Sequence, residues 1–141
     1  MNAKSLSVLI SRIALFLIYF WFGFLKIIGL SPASGMVQEL FSKTVTPIMD
    51  TMHLSFMTPG TFVIVFGVIE VIIGILFLVP GKEKLASILF FAHMVTTGLP
   101  LFFLKDSVWA RMFVPTLEGQ YIIKNIALIA CALNIRSSSK S

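Results

Sequence analysis

Cysteine is almost missing from this chain: Cys131 stands alone among 141 residues. One thiol excludes an intrachain disulfide and a CxxC redox pair. Its apolar surroundings fit an inert buried thiol rather than a nucleophile. Charge is scarce as well. Asp, Glu, Lys and Arg make up 12% of the residues, about half the share of a soluble domain. Histidine occurs only at His53 and His93, with no metal-ligand spacing between them, so no metal is expected. No Ser/His/Asp set and no phosphate-binding loop occurs. The net charge is +5, yet the basic residues form no clustered face, which excludes nucleic-acid binding.

What the chain has is hydrocarbon. It is 57% hydrophobic with a mean hydropathy of +0.99. Four apolar segments, about 6–30, 61–79, 85–104 and 119–135, are each near the ~20 residues that cross ~30 Å of hydrocarbon. The last is marginal. Pro and Gly punctuate the breaks: Pro32, Pro59-Gly60, Pro80-Gly81, Pro115 and Gly119. No repeat of fixed period is present. The expected fold is all-α, an integral membrane four-helix bundle forming a single transmembrane domain over residues 1–141. The first apolar run is too long for a signal h-region of ~7–15 residues, so it is expected to stay as a membrane helix.

Four crossings would put both termini on one side with the short loop at Pro80–Lys84. That side carries Lys4, Lys82, Lys84, Arg136 and Lys140, with Arg12 at the border, against Glu83. The other side carries Lys43, Lys105 and Arg111 against Glu39, Asp50, Asp106 and Glu118. The excess of Lys and Arg then places both termini in the cytoplasm of a multi-pass inner-membrane protein. The outer loop 31–60 has Met36, Val37, Leu40, Phe41 and Val45 at helical spacing. Its apolar pattern resumes after Pro47. One or two short amphipathic helices at the outer interface are expected there, as against an apolar loop resting on lipid. In the third loop, Trp109 and Phe113 join Trp21 and Tyr121 as aromatic anchors at the interface.

Against this background a few polar residues stand out. Glu70 lies near the middle of an apolar run, with Gly67 and Gly74 on the same helix face. A carboxylate at that depth is costly and needs a partner or water, while the glycines let a neighbouring helix approach. At ~1.5 Å per residue, Glu70 is about 13 Å from the outer end of its helix, and Lys26 and Lys124 about 6 and 7 Å from theirs. Lys26 is the first choice of partner and Lys124 the second. Arg12, Phe16, Tyr19, Gly23 and Lys26 form one seam on the first helix. His93 pairs with Thr97 on the third. Tyr121, Lys124 or Asn125, Leu128 and Cys131 mark the fourth. The polar cluster, for ligand binding or for structure, is thus expected from Arg12, Trp21, Lys26, Glu70, His93, Glu118, Tyr121, Lys124 and Asn125. Gly23, Gly67 and Gly74 would serve helix packing. Three readings remain open: a buried Glu–Lys pair that locks helices in register, a cavity for a small polar headgroup or a quinone, and a proton or ion path. No catalytic residue is assigned.

Several short motifs resemble the DoxX-like membrane proteins. Arg12-Ile13 followed by Trp21-Phe22-Gly23-Phe24-Leu25-Lys26 is similar to that family's first-helix signature. Phe66-Gly67-Val68-Ile69-Glu70 through Gly74 resembles its second-helix motif. Val114-Pro115 through Lys124-Asn125 resembles the start of the fourth helix in an uncharacterised, reactive-chlorine-resistance-like branch. Asn125 stands where an Asp is common, removing one counter-charge to Lys124. The resemblance implies a four-helix membrane bundle. It also implies an association with thiosulfate:quinone oxidoreductase small subunits, with oxidant-response complexes, or with receptor-assembly chaperones. The related vitamin K epoxide reductases need cysteine pairs, which this chain lacks. The expected function is an accessory or quinone-contacting subunit of a redox or oxidant-stress system, the alternative being a non-catalytic scaffold or assembly chaperone. Whether the chain is itself an enzyme is left open. A quinone is the one cofactor suggested. Electrons would come from a membrane or periplasmic redox partner or a bound cofactor. The lipid bilayer is a partner in any case, and a homo-oligomer is a further option.

Overall fold

The computed structural model describes residues 3–139; Lys140, counted above on the basic side, lies outside them. The chain is mostly helical. Its elements in order are α1 (Ala3–Ile27), α2 (Ser34–Thr51), α3 (Pro59–Leu78), α4 (Glu83–Gly98), α5 (Pro100–Phe103), α6 (Lys105–Val108), β1 (Trp109–Arg111), β2 (Val114–Pro115) and α7 (Leu117–Ser138). Among the described residues, three helical stretches are long and apolar enough to cross a membrane: Ala3–Ile27, Pro59–Leu78 and the run Glu83–Phe103. This fits a multi-pass membrane protein. The 22 residues of α7 are long enough, but Glu118, Gln120, Lys124, Asn125, Asn134 and Arg136 dilute its apolar character.

Local chemistry sets the boundaries. α1 stops at Ile27, short of the 30 expected, because Gly29 turns left-handed at φ 75°. Leu30 N–H then bonds Leu25 C=O at 2.9 Å and Gly29 N–H bonds Lys26 C=O at 3.3 Å, a Schellman stop. α3 begins two residues earlier than its apolar run, at Pro59. Thr58 caps it by accepting from Thr61 N–H at 3.1 Å, and proline suits the first helical position. Thr116 caps α7 in the same way, accepting from Gly119 N–H at 3.2 Å. In the loop 31–60 a single 18-residue helix passes through Pro47, where one or two short helices were expected. It ends in a second Schellman stop with His53 in the left-handed position at φ 53°. His53 is therefore part of a helix terminus. The third loop is also structured, as one helical turn and a small antiparallel hairpin.

Packing follows the glycines. α1 and α3 lie together along their lengths, and α7 and α4 complete a ring of neighbours, α1 against α7, α7 against α4 and α4 against α3. α1 and α3 run antiparallel: Gly23 and Lys26 meet Gly67, while Tyr19 meets Gly74. Cβ atoms added at Gly23 and Gly67 would fall 2.6 and 2.7 Å from the facing backbone oxygens. No other residue permits that approach. One apolar cluster gathers Leu15, Tyr19, Ile73, Phe77, Phe90 and Ile135. A second gathers Leu40, Leu104, Val108 and Ile122, where α2 and α6 pack toward α7.

Candidate functional site

The heptad-like stripe of α1 brings Tyr19 and Lys26 to the face that meets α3, and Glu70 answers from α3 beside Gly67. Lys26 Nζ donates to Glu70 Oε2 at 2.6 Å. From α4, His93 brings Nε2 to 3.2 Å from the other carboxylate oxygen, Oε1. That approach is short but misaligned: Nε2 is buried and makes no hydrogen bond. The far ring nitrogen, Nδ1, lies 3.2 Å from the Tyr19 hydroxyl. Four side chains from three helices thus form a chain, Lys26–Glu70–His93–Tyr19. Their residues are 5%, 6%, 6% and 4% exposed respectively. The imidazole is held between the Phe66 ring, 4.6 Å away by centroids, and the Tyr19 ring at 5.3 Å.

Taking two charges out of water costs several kcal/mol per ion, and a close pair offsets this only with good geometry. The short Lys26–Glu70 contact supplies it, and the glycines make it possible. Without Cβ atoms at Gly23 and Gly67, the two backbones come near enough for the side chains to meet sideways rather than reach outward.

The chain of polar groups borders a cavity of about 320 Å³. Its walls are largely apolar: Phe22 and Ile18 from α1, Met36, Val37 and Leu40 from α2, Phe62 and Phe66 from α3, and Leu117, Ile122 and Leu128 from α7. α2 thus supplies part of the cavity wall. Thr97, Glu118, Tyr121 and Asn125 add polar atoms to the lining. A volume near 300 Å³ is at the lower end for small-molecule sites, and apolar walls with a few convergent polar groups are their usual chemistry.

The remaining residues of the expected cluster fall elsewhere. Arg12 is not with Lys26. It is about 21 Å away along α1 at ~1.5 Å per residue, donating from Nη1 to Phe77 C=O at 2.8 Å and from Nη2 to Glu83 at 2.5 Å. Glu83 also accepts from Gly81 N–H at 3.1 Å, so Arg12 ties the α3–α4 turn to α1. Lys124 is exposed, with its Nζ 5.5 Å from the Tyr121 ring centre; of the two candidate lysines, Lys26 is the one that meets Glu70. Trp21 is 62% exposed on the outside of α1 and does not line the cavity. Depth and face place Lys124 equally well in sequence, but rotation about α7 turns it outward.

Two features had little or no sequence signal. Tyr19 belonged to the α1 seam, but nothing local marked it as the partner of His93. The contact between α2 and α6 had none: Glu39 pairs with Lys43 at 2.8 Å and accepts from Ser107 Oγ at 3.0 Å. The Lys43 ammonium, followed by the Ser107 hydroxyl, holds the Glu39 carboxyl below the usual glutamate range. No family model, no curated protein and no solved structure matches the chain.

Proposed function

We propose that this chain is a DoxX-like inner-membrane protein that holds the head of a lipophilic ring compound, of the quinone class, as a subunit of a redox or oxidant-stress system. The observation that carries the reading is the buried row Lys26–Glu70–His93–Tyr19 at the edge of an otherwise apolar cavity of about 320 Å³. A ring head fits that volume, and a longer isoprenoid tail leaves it for lipid. In this reading α7 is the fourth crossing of a four-helix bundle, both termini are cytoplasmic, and α2 covers the outer end. A redox protein in the membrane or periplasm supplies or accepts the electrons.

The test is purification in mild detergent, followed by lipid extraction and a thermal shift with a decyl-tailed benzoquinone. The reading predicts quinone above the level of bulk membrane lipid and a higher melting temperature with the probe. Absence of both removes it.

A scaffold whose buried pair only locks helix register is the second reading, and the Gly23–Gly67 contact beside Lys26–Glu70 favours it. Joint replacement Lys26→Met with Glu70→Leu separates the two. If the chain is a scaffold, the variant keeps its assembly and neither it nor the unaltered chain responds to quinone, whereas the ligand reading predicts that the unaltered chain binds the probe and the folded variant does not.

A further inference from the structure

The nitrogen left over in the site is His93 Nε2. It is buried, it belongs to a residue that lines the cavity, and it makes no hydrogen bond although Glu70 Oε1 is 3.2 Å away. Buried polar atoms without partners are uncommon, and each one invites a physical account. We propose that His93 carries its proton on Nε2 and that this N–H is the donor that reads a neutral carbonyl oxygen on the ligand, with Tyr19 as the positioning residue. The proposal rests on the ligand-binding reading above and deepens it.

Two tautomers of a neutral imidazole are conceivable, and the neighbours choose between them. If Nδ1 held the proton, the bare Nε2 lone pair would face the Glu70 carboxylate at 3.2 Å, two acceptors opposed in a buried site. With the proton on Nε2, that repulsion becomes attraction, and the Tyr19 hydroxyl donates to Nδ1 across 3.2 Å. Tyr19 thus fixes which nitrogen is the donor. The rings of Phe66 and Tyr19 prevent the imidazole from turning.

Charge then limits the ligand. Lys26 and Glu70 neutralise each other at 2.6 Å. An anionic head would compete with Glu70 for Lys26 and leave a carboxylate beside a second negative charge in a medium of low dielectric. A cationic head would displace Lys26 in the same way. A neutral head with an acceptor oxygen disturbs neither charge and satisfies the idle N–H. The site therefore selects a carbonyl-headed lipophile over a fatty acid or an alkylamine of equal length.

The experiment compares a decyl-tailed benzoquinone, decanoate and decylamine as probes of the full chain in lipid nanodiscs, alongside ¹⁵N NMR of the labelled histidines. The inference predicts an Nε2–H signature for His93 without any probe, and binding of the benzoquinone but not of the other two. His93→Phe, which keeps a ring against Phe66, should weaken the benzoquinone about tenfold, the loss of one hydrogen bond. His93→Gln, whose amide N–H reaches nearly the same place, should stay within about threefold. An Nδ1–H tautomer overturns the inference whatever the probes do. Benzoquinone binding that is unchanged in His93→Phe overturns it while leaving the ligand-binding reading standing. If the unaltered chain binds none of the three, both fall. The tautomer measurement needs no variant, so it holds even if His93→Phe does not fold.

Discussion

Gly23 and Gly67 each occupy the space the other's side chain would need: a Cβ on either would sit within 2.7 Å of its partner's backbone oxygen. Backbone cannot retreat as a flexible side chain can. Gly23→Ala and Gly67→Ala should each push α1 from α3 at a cost of about 1–3 kcal/mol, as for other overpacked sites. Gly98→Ala is the control. Nothing lies within 4 Å of its added Cβ, so it should be neutral or slightly stabilising. Melting curves in one detergent compare the three.

Lys26 and Glu70 are a pair in which either partner alone is a liability. Lys26→Met leaves a buried carboxylate without its cation and should cost about 3–5 kcal/mol. Adding Glu70→Leu should recover most of that loss, because an apolar pair of similar volume has no charge to desolvate. A double-mutant cycle on melting temperature measures the coupling. Additive losses would mean the two side chains do not meet.

Arg12 holds the turn between α3 and α4 through Phe77 C=O and Glu83. Arg12→Met should destabilise by about 1.5–3 kcal/mol, the range for hydrogen bonds to charged groups. It should also raise hydrogen exchange at Gly81 and Lys82 before it affects α7. Unchanged exchange in that turn would show that Arg12 does not restrain it.

Glu39 gives the contact between α2 and α6 a dependence on acid. Its carboxyl titrates below the ordinary glutamate range because of Lys43 and then Ser107. A lowered folded-state pKa means stability that is fully present above the unfolded value and lost as pH falls through the folded one. The tie between α2 and α6 should therefore weaken on the acid side only. The effect is small, since the side chain is 38% exposed and solvent screens it. Carboxyl ¹³C shifts measure the titration, and Glu39→Gln should flatten the acid end of the stability curve.

Much of this arrangement was legible in the sequence, for reasons that can be stated. A glutamate in hydrocarbon must find a partner, and depth along the helices left Lys26 and Lys124 as the candidates. Apolar length located the long helices α1, α3, α4 and α7 and helical spacing pointed to α2, although caps and Schellman stops moved their ends by several residues. Seams were less informative. Arg12 and Lys26 share a stripe on α1, yet a stripe of four turns serves different neighbours at its two ends. Lys124 had the right depth, and only the rotation of α7 turned it out. The pairing of Tyr19 with His93 depends on two helices crossing at one height, which no local pattern encodes. Nor does apolar spacing reveal that Glu39 reaches Ser107 across sixty-eight positions.

Photolabelling bears most directly on the claim that the cavity holds a quinone head. An azido-benzoquinone with a short tail would be irradiated with the full chain in nanodiscs, and the labelled peptides mapped by mass spectrometry. The account predicts adducts concentrated on cavity residues such as Phe66, Met94 and Ile122, competed away by unlabelled decyl-benzoquinone and diminished in His93→Phe. Adducts spread evenly over the exposed apolar residues Ile10, Leu17, Ile64 and Ile126, with no competition, would contradict it.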